Sequence, residues 1–292
     1  LEIIMIEKKL NTNFEQTAKT LAEALPYLQR YEGAVVVIKL GGHAMTSKTL
    51  LDSFARDIVL IKHCGVHPII VHGGGPMINS FLSDLKIESK FLNGKRITDE
   101  RTMEIVEMVL SGNVNKSIVN AVNKQGGKGV GLSGKDANLI KCEQEDPELG
   151  FVGEIKKVNP EVIRNFIESD FIPIIAPIGS GDDDQSFNIN GDTAAGALAA
   201  SLNADRLLLL TDVEGVKSAE GTLVPQLNSD EARRFMDLEV IKGGMIPKVN
   251  TALEAIENGV RASVIIDGRV NHACLLELFT DHGIGTLFKN HS

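Results

Sequence analysis

Tryptophan is absent from this 292-residue chain, tyrosine occurs twice and cysteine three times. With so few large aromatic groups, the core must be aliphatic. Cys64, Cys142 and Cys274 are odd in number and widely spaced, which suits reduced thiols in a cytosol rather than a disulfide framework. No apolar run approaches the ~20 residues of a membrane span, and no basic stretch leads into an apolar one as in a secretory leader. Positive charge is in deficit, since 30 Lys and Arg against 39 Asp and Glu leave a net charge of −9. That balance argues against nucleic acid or an anionic membrane as the main partner. The expectation is a cytoplasmic protein without a repeat or low-complexity tract, long enough for one large domain or two lobes sharing a sheet.

What the chain does have is regular alternation. Phe14, Ala18, Leu21, Ala22, Leu25 and Leu28 recur at helical spacing over 14–31, with Asn13 as a candidate cap and Pro26 expected to kink the helix near its end. This helix either folds back on its own domain or reaches a neighbouring subunit. From Ala34 onward, strand-like runs occur at 34–40, 67–72, 129–133, 171–176, 205–211 and 262–267. Helix-like runs occur at 49–64, 76–85, 100–111, 113–125, 159–169, 191–203, 229–237, 247–258 and 272–281. Most of the strands are apolar throughout, as in a sheet covered on both faces. The pattern predicts an α/β fold, a three-layer αβα sandwich around a largely parallel central sheet, with ligands at the carboxyl ends of the strands. The polar stretch 179–187 is the candidate break between two lobes.

Two of the strands stop at bare glycine: the first at Gly41 and Gly42, the second at Gly73, Gly74 and Gly75. Glycine lets a ligand approach backbone amides, and amides at a helix start form an anion site. Lys39 stands beside the first turn, where burying an unpaired ammonium would be costly. Pro76 suits a first helical position after the second. Asn188 and Asn190 alternate onto one face ahead of Asp192 and an alanine-rich helix, more polar groups than N-cap duty needs. The buried run ending at Thr211, Asp212 and Gly215 places polar groups at a strand end. Gly243, Gly244 and Met245 lead to Lys248 at another helix start, against the dipole preference for cations at C-termini.

Other patterns fail on context. Gly129, Gly131 and Gly134 fit G-x-G-x-x-G but run through an apparent strand, and the overlapping P-loop pattern ends at Asp136 rather than Ser or Thr. His63, Cys64, His67 and His72 straddle a helix end, a turn and a strand, so they should not converge on zinc. Asp182, Asp183 and Asp184 read as a solvated loop.

In this order, the segments resemble the amino acid kinase family, in its branch that acts on N-acetyl-L-glutamate, over nearly the whole chain from about residue 14. The motifs are Ile-Lys-Leu-Gly-Gly at 38–42, Val-His-Gly-Gly-Gly-Pro at 71–76, Asn-Gly-Lys-Arg-Ile-Thr at 93–98, Asn-Ile-Asn-Gly-Asp at 188–192, Leu-Thr-Asp-Val-Glu-Gly-Val at 210–216 and Gly-Gly-Met-Ile-Pro-Lys-Val at 243–249. The resemblance implies ATP-dependent phosphorylation of the γ-carboxylate of that substrate, with Mg2+ carried by ATP and no protein-held metal. It implies that Lys39 and Lys248 neutralise the transferring phosphoryl group while Asp192 holds them. Gly74, Gly75, Arg96, Asn188 and Asn190 would bind the acceptor. Gly41, Gly42, Thr211, Asp212, Gly215, Gly243, Gly244 and Met245 would bind ATP. Gly191 departs from the alanine usual in the family.

The resemblance also extends to arginine-inhibited members, whose N-terminal kinked helix interlaces dimers into a hexamer. Tyr27, Lys217, His272, Glu277, Gly283 and Gly285 would form the arginine site. The implied organisation is an oligomerisation arm at 1–33, a lobe at 34–180 for acetylglutamate binding and dimerisation, and a lobe at 181–292 for ATP and arginine. The alternatives are a kinase of the same fold acting on an aminoadipate derivative, a non-catalytic arginine sensor, and a nicotinamide-dependent oxidoreductase, which fails on motif context.

Overall fold

The computed structural model describes residues 14–42, 45, 47–92, 94–281 and 283–290; the expected cap Asn13 and the motif residue Asn93 lie outside the described residues. The six runs expected as strands all pair, because their β-branched and leucine side chains have somewhere apolar to go on both sides. With two short strands they form an eight-stranded sheet in the order Gln226–Leu227, Thr286–Phe288, Ser263–Asp267, Arg206–Thr211, Val35–Leu40, His67–His72, Ile172–Ala176, Gly129–Ser133. The Ser263–Asp267 and Thr286–Phe288 pairing is antiparallel and the others are parallel.

Alternation then sorts the side chains into two cores. Val36, Ile38, Leu40, Ile70 and Leu208 enter one, covered by helices Lys48–His63 and Asn115–Lys124. Val37, Ile69, Val71, Leu207 and Leu209 enter the other, covered by Gly191–Ser201 and Met245–Glu257. This is the three-layer sandwich that the sequence predicts.

Three local features refine the expectation. The stretch 179–187, the candidate break between lobes, forms a hairpin tip: Ile178–Ser180 pairs antiparallel with Ser186–Asn188, inside a second sheet completed by Ile140–Gln144 and Gly153–Val158. The runs 100–111 and 113–125 are one continuous helical stretch, in which Glu100–Glu107 passes through a π-helical turn, Met108–Val114, into Asn115–Lys124. The extra residue of a π turn shifts the apolar spacing, which reads in sequence as two helices. The N-terminal helix breaks at Ala24, ahead of Pro26, so that the proline falls in the first turn of Leu25–Tyr31, where its missing N–H costs nothing.

The two N-terminal segments behave differently. Tyr31 is buried, edge-on to Phe279 and beneath Arg206, so Leu25–Tyr31 is docked on its own chain. Residues 14–23 are helical and exposed throughout, with Phe14 and Leu21 at 67% and 68% exposure. Among the described residues, no helix is long and apolar enough to cross a membrane.

Candidate active site

Lys39 is two residues from Val37 and so faces the side of the sheet covered by helix Gly191–Ser201. Asp192 occupies the first turn of that helix. Its Oδ1 lies 2.8 Å from Lys39 Nζ, and its Oδ2 lies 2.8 Å from Lys248 Nζ, which reaches in from the start of Met245–Glu257. Burial pushes the Asp192 carboxyl up, but the two ammonium groups outweigh burial and hold it at about 2. Two cations on one carboxylate leave a surplus positive charge, an arrangement made for an anion.

The two glycine turns touch beside this cluster. A Cβ on Gly42 would fall 2.7 Å from Pro76 Cδ, and one on Gly41 would fall 2.8 Å from the Leu210 carbonyl oxygen, so neither position tolerates a side chain. Lys39, Gly41, Gly42, Thr211, Asp212 and Lys248 border a cavity of about 230 Å³. Asp212 and Arg269 border both this cavity and one of about 620 Å³, which Gly215, Lys217 and Met245 also line. On the other side, Gly74, Gly75, Arg96, Asn188 and Asn190 line a cavity of about 180 Å³ that ends at Gly191. The cluster therefore stands between this 180 Å³ cavity and the pair of cavities that share Asp212 and Arg269.

Individual residues carry their own support. Arg96 is buried, stacks over Phe91 at 4.8 Å and donates to Asn79 Oδ1 at 2.7 Å and to Ser89 Oγ. Asn190 Oδ1 accepts from the Asp192 and Thr193 amides at 2.8 and 3.2 Å, so this residue caps its helix as well as lining the cavity. Asn188 Nδ2 donates to Thr98 Oγ1 at 3.3 Å. Gly243 and Gly244 form the turn ahead of Met245 and border neither of the two cavities that share Asp212 and Arg269.

The residues expected around an effector are partly gathered. Tyr27 donates to Asp281 Oδ1, and Glu277 accepts from the Ile284 amide at 2.9 Å beside Gly283. Burial pushes the Glu277 carboxyl up, against the pull of the Ile284 and Gly285 amides. His272 Nδ1 lies 2.6 Å from Oδ1 of the buried Asp57. Lys217 pairs with Glu214 at 3.0 Å on the 620 Å³ cavity, and its neighbour Val216 donates to Thr286 Oγ1 at 2.9 Å, next to Gly285.

Sequence reasoning missed Arg269, which forks onto Asp267 through Nε and Nη2 at 2.9 and 2.7 Å. Its signal was available, since it follows a strand end on the ligand edge of the sheet. Asn79 and Ser89 had no such signal.

The amino acid kinase family profile matches residues 34–267. This chain belongs to the amino acid kinase family. The acetylglutamate kinase of Ruegeria sp. (strain TM1040) is 62% identical to it over 286 residues, covering 98% of this chain and 100% of that one. Among solved structures of the fold, smu.665 from Streptococcus mutans UA159 aligns with a TM-score of 0.75 at 30% identity, over 88% of this chain and 99% of that one. N-acetylglutamate synthase from Neisseria gonorrhoeae, complexed with coenzyme A and N-acetyl-glutamate, aligns with a TM-score of 0.84 at 23% identity, over 94% of this chain and 64% of that longer one. At that identity the likeness concerns the fold alone.

Proposed function

We infer that this chain transfers the γ-phosphoryl group of ATP to the γ-carboxylate of N-acetyl-L-glutamate, a step of arginine biosynthesis. The observation that carries the reading is the Lys39–Asp192–Lys248 cluster between the two sets of cavities. The identity of 62% to an acetylglutamate kinase over 98% of the chain supports the choice of acceptor.

In this reading the 180 Å³ cavity takes acetylglutamate, with the Arg96 guanidinium gripping its α-carboxylate and Asn188 and the Gly74 and Gly75 amides holding the rest. The 620 Å³ cavity takes the nucleoside and the 230 Å³ cavity takes the phosphates. The acceptor carboxylate is ionised at neutral pH, since a free glutamate titrates near ~4.3, so no general base is needed. The reaction then depends on alignment and charge neutralisation. Lys39 and Lys248 supply the charge, and Asp192 holds two mutually repelling ammonium groups in place. ATP enters as its magnesium complex. Both Asp192 oxygens are taken by lysines, which suits a metal held by the phosphates.

Regulation and assembly belong to the same reading. Arginine inhibits the enzyme by binding among Tyr27, Lys217, His272, Glu277, Gly283 and Gly285. Residues 1–33 act as an arm, 34–180 bind acetylglutamate and form a dimer, and 181–292 bind ATP and arginine. The uncovered apolar face of Phe14, Leu21 and Leu25 supports an arm that joins dimers into a hexamer. The test is ADP release from ATP with N-acetylglutamate, with an aminoadipate derivative and with no acceptor, each with and without arginine. Release is expected with acetylglutamate and reduced by arginine. Preference for the longer acid would overturn the acceptor, and indifference to arginine would overturn the regulation.

A further inference from the structure

We propose that His72, braced by Asn115, is a positioning residue that turns the Gly74 N–H into the acceptor cavity. This rests on reading the 180 Å³ cavity as the acceptor site. His72 closes the strand His67–His72 and is 0% exposed, yet the transfer chemistry has no use for it. Its Nδ1 lies 2.8 Å from the Gly73 carbonyl oxygen, and its Nε2 lies 3.1 Å from Asn115 Nδ2. A carbonyl can only accept and an amide NH2 can only donate, so the ring carries its proton on Nδ1 and leaves Nε2 bare.

The orientation of Asn115 is itself set by its surroundings. Nδ2 also faces the Ile174 and Leu132 carbonyls at 2.8 and 3.3 Å, so its two protons are shared among three acceptors, and Oδ1 accepts from Lys116 Nζ at 3.1 Å. A flipped amide would set oxygen against two carbonyls. Burial disfavours the imidazolium and brings the His72 pKa to about 4, so the ring stays neutral at physiological pH.

The consequence lies one peptide further on. No described peptide bond is cis, and in a trans peptide the C=O and N–H point in opposite directions. Drawing the Gly73 oxygen onto the buried ring therefore sends the Gly74 N–H the other way. That N–H has no acceptor among the described residues, and Gly74 is buried on the wall of the cavity. A ligand oxygen there would satisfy a donor that is otherwise costly to leave bare. The π-helical turn that precedes Asn115 closes the arrangement from behind, since a Cβ on Gly74 would fall 2.3 Å from Leu110 Cδ2.

NMR of the imidazole nitrogens reads the tautomer in the intact protein at pH 7. Protonated Nδ1 is expected, and protonated Nε2 would overturn the proposal whatever the acceptor is and whether or not variants fold. Kinetics supply the functional arm. His72→Asn keeps a donor where Nδ1 stands, whereas His72→Gln moves it towards Asn115. In His72→Gln, kcat/KM for N-acetylglutamate is expected to fall at least about tenfold, and clearly less in His72→Asn, with KM for ATP within about twofold in both. Equal losses in the two variants, or losses that simply follow Tm, would assign His72 a purely structural role and overturn the proposal. A wild-type enzyme inactive on N-acetylglutamate would count against the function, not against the hydrogen bond.

Discussion

Lys39 Nζ lies 2.8 Å from Asp192 Oδ1, joining the first core strand to the helix Gly191–Ser201 through a pair that is almost out of solvent. Buried ion pairs are weak devices for stability, because desolvation offsets the attraction. A second lysine on the same carboxylate makes the cluster worse as a stabilising element and better as an anion site. Lys39→Ala and Lys248→Ala are therefore expected to lower kcat by about 10²–10³, by analogy with removal of an oxyanion donor, and to change KM for acetylglutamate far less. Steady-state kinetics with each substrate varied will check this.

The Asp192 carboxylate also makes stability depend on pH. Its folded pKa of about 2 is below the ordinary 3.8, so its contribution is fully present above about pH 4 and is lost as pH falls towards 2. The contribution is on the order of 2 kcal/mol. Urea unfolding at pH 5 and pH 3 should show a steeper loss in the wild type than in Asp192→Asn. Equal losses would mean that the paired carboxylate contributes nothing in this range.

Glycines at the site should separate by what their side chains would meet. A Cβ on Gly191 lies 3.5 Å from Lys39 Cε, an ordinary contact, so Gly191→Ala should retain activity and gain about 0.4–1 kcal/mol from a stiffer unfolded chain. Gly41→Ala meets the Leu210 carbonyl oxygen at 2.8 Å, a backbone atom that cannot step aside. It should cost about 1–3 kcal/mol and damage ATP binding. Thermal melts and KM for ATP in the two variants decide the matter.

The exposed helix at 14–23 gives a prediction about assembly. Removing residues 1–30 should leave an active dimer that arginine inhibits poorly, because both the uncovered apolar face and Tyr27, which donates to Asp281, are lost. Light scattering gives the mass and the ADP assay gives the inhibition. A truncated protein that remains hexameric and fully arginine-sensitive would contradict the role of the arm.

The features legible in sequence are those whose local chemistry is costly without a reason. Lys39 beside glycine at the end of an apolar strand, and Lys248 at a helix start, each implied an anion, and the structure brings both to Asp192. The central strands were legible because burial on both faces leaves long apolar runs. Phe91–Leu92 and Thr286–Phe288 are too short to show a period. Ile140–Gln144 did alternate, but weakly. Gly112, inside the π-helical turn, reads as a break between helices because the added residue disrupts helical spacing. Asn79, Ser89 and Asn115 are ordinary polar residues on helices or loops. What they do follows from which distant strand or side chain they meet, and no local pattern encodes that.

Trapping the product tests the central claim most directly. Transfer to a carboxylate makes an acyl phosphate, which hydroxylamine converts to a hydroxamate. The wild-type protein should form hydroxamate in step with ADP only when ATP and N-acetyl-L-glutamate are both present, and Lys248→Ala should form about 10²–10³ less. ADP without hydroxamate, or neither product from the wild type, would contradict transfer to the γ-carboxylate.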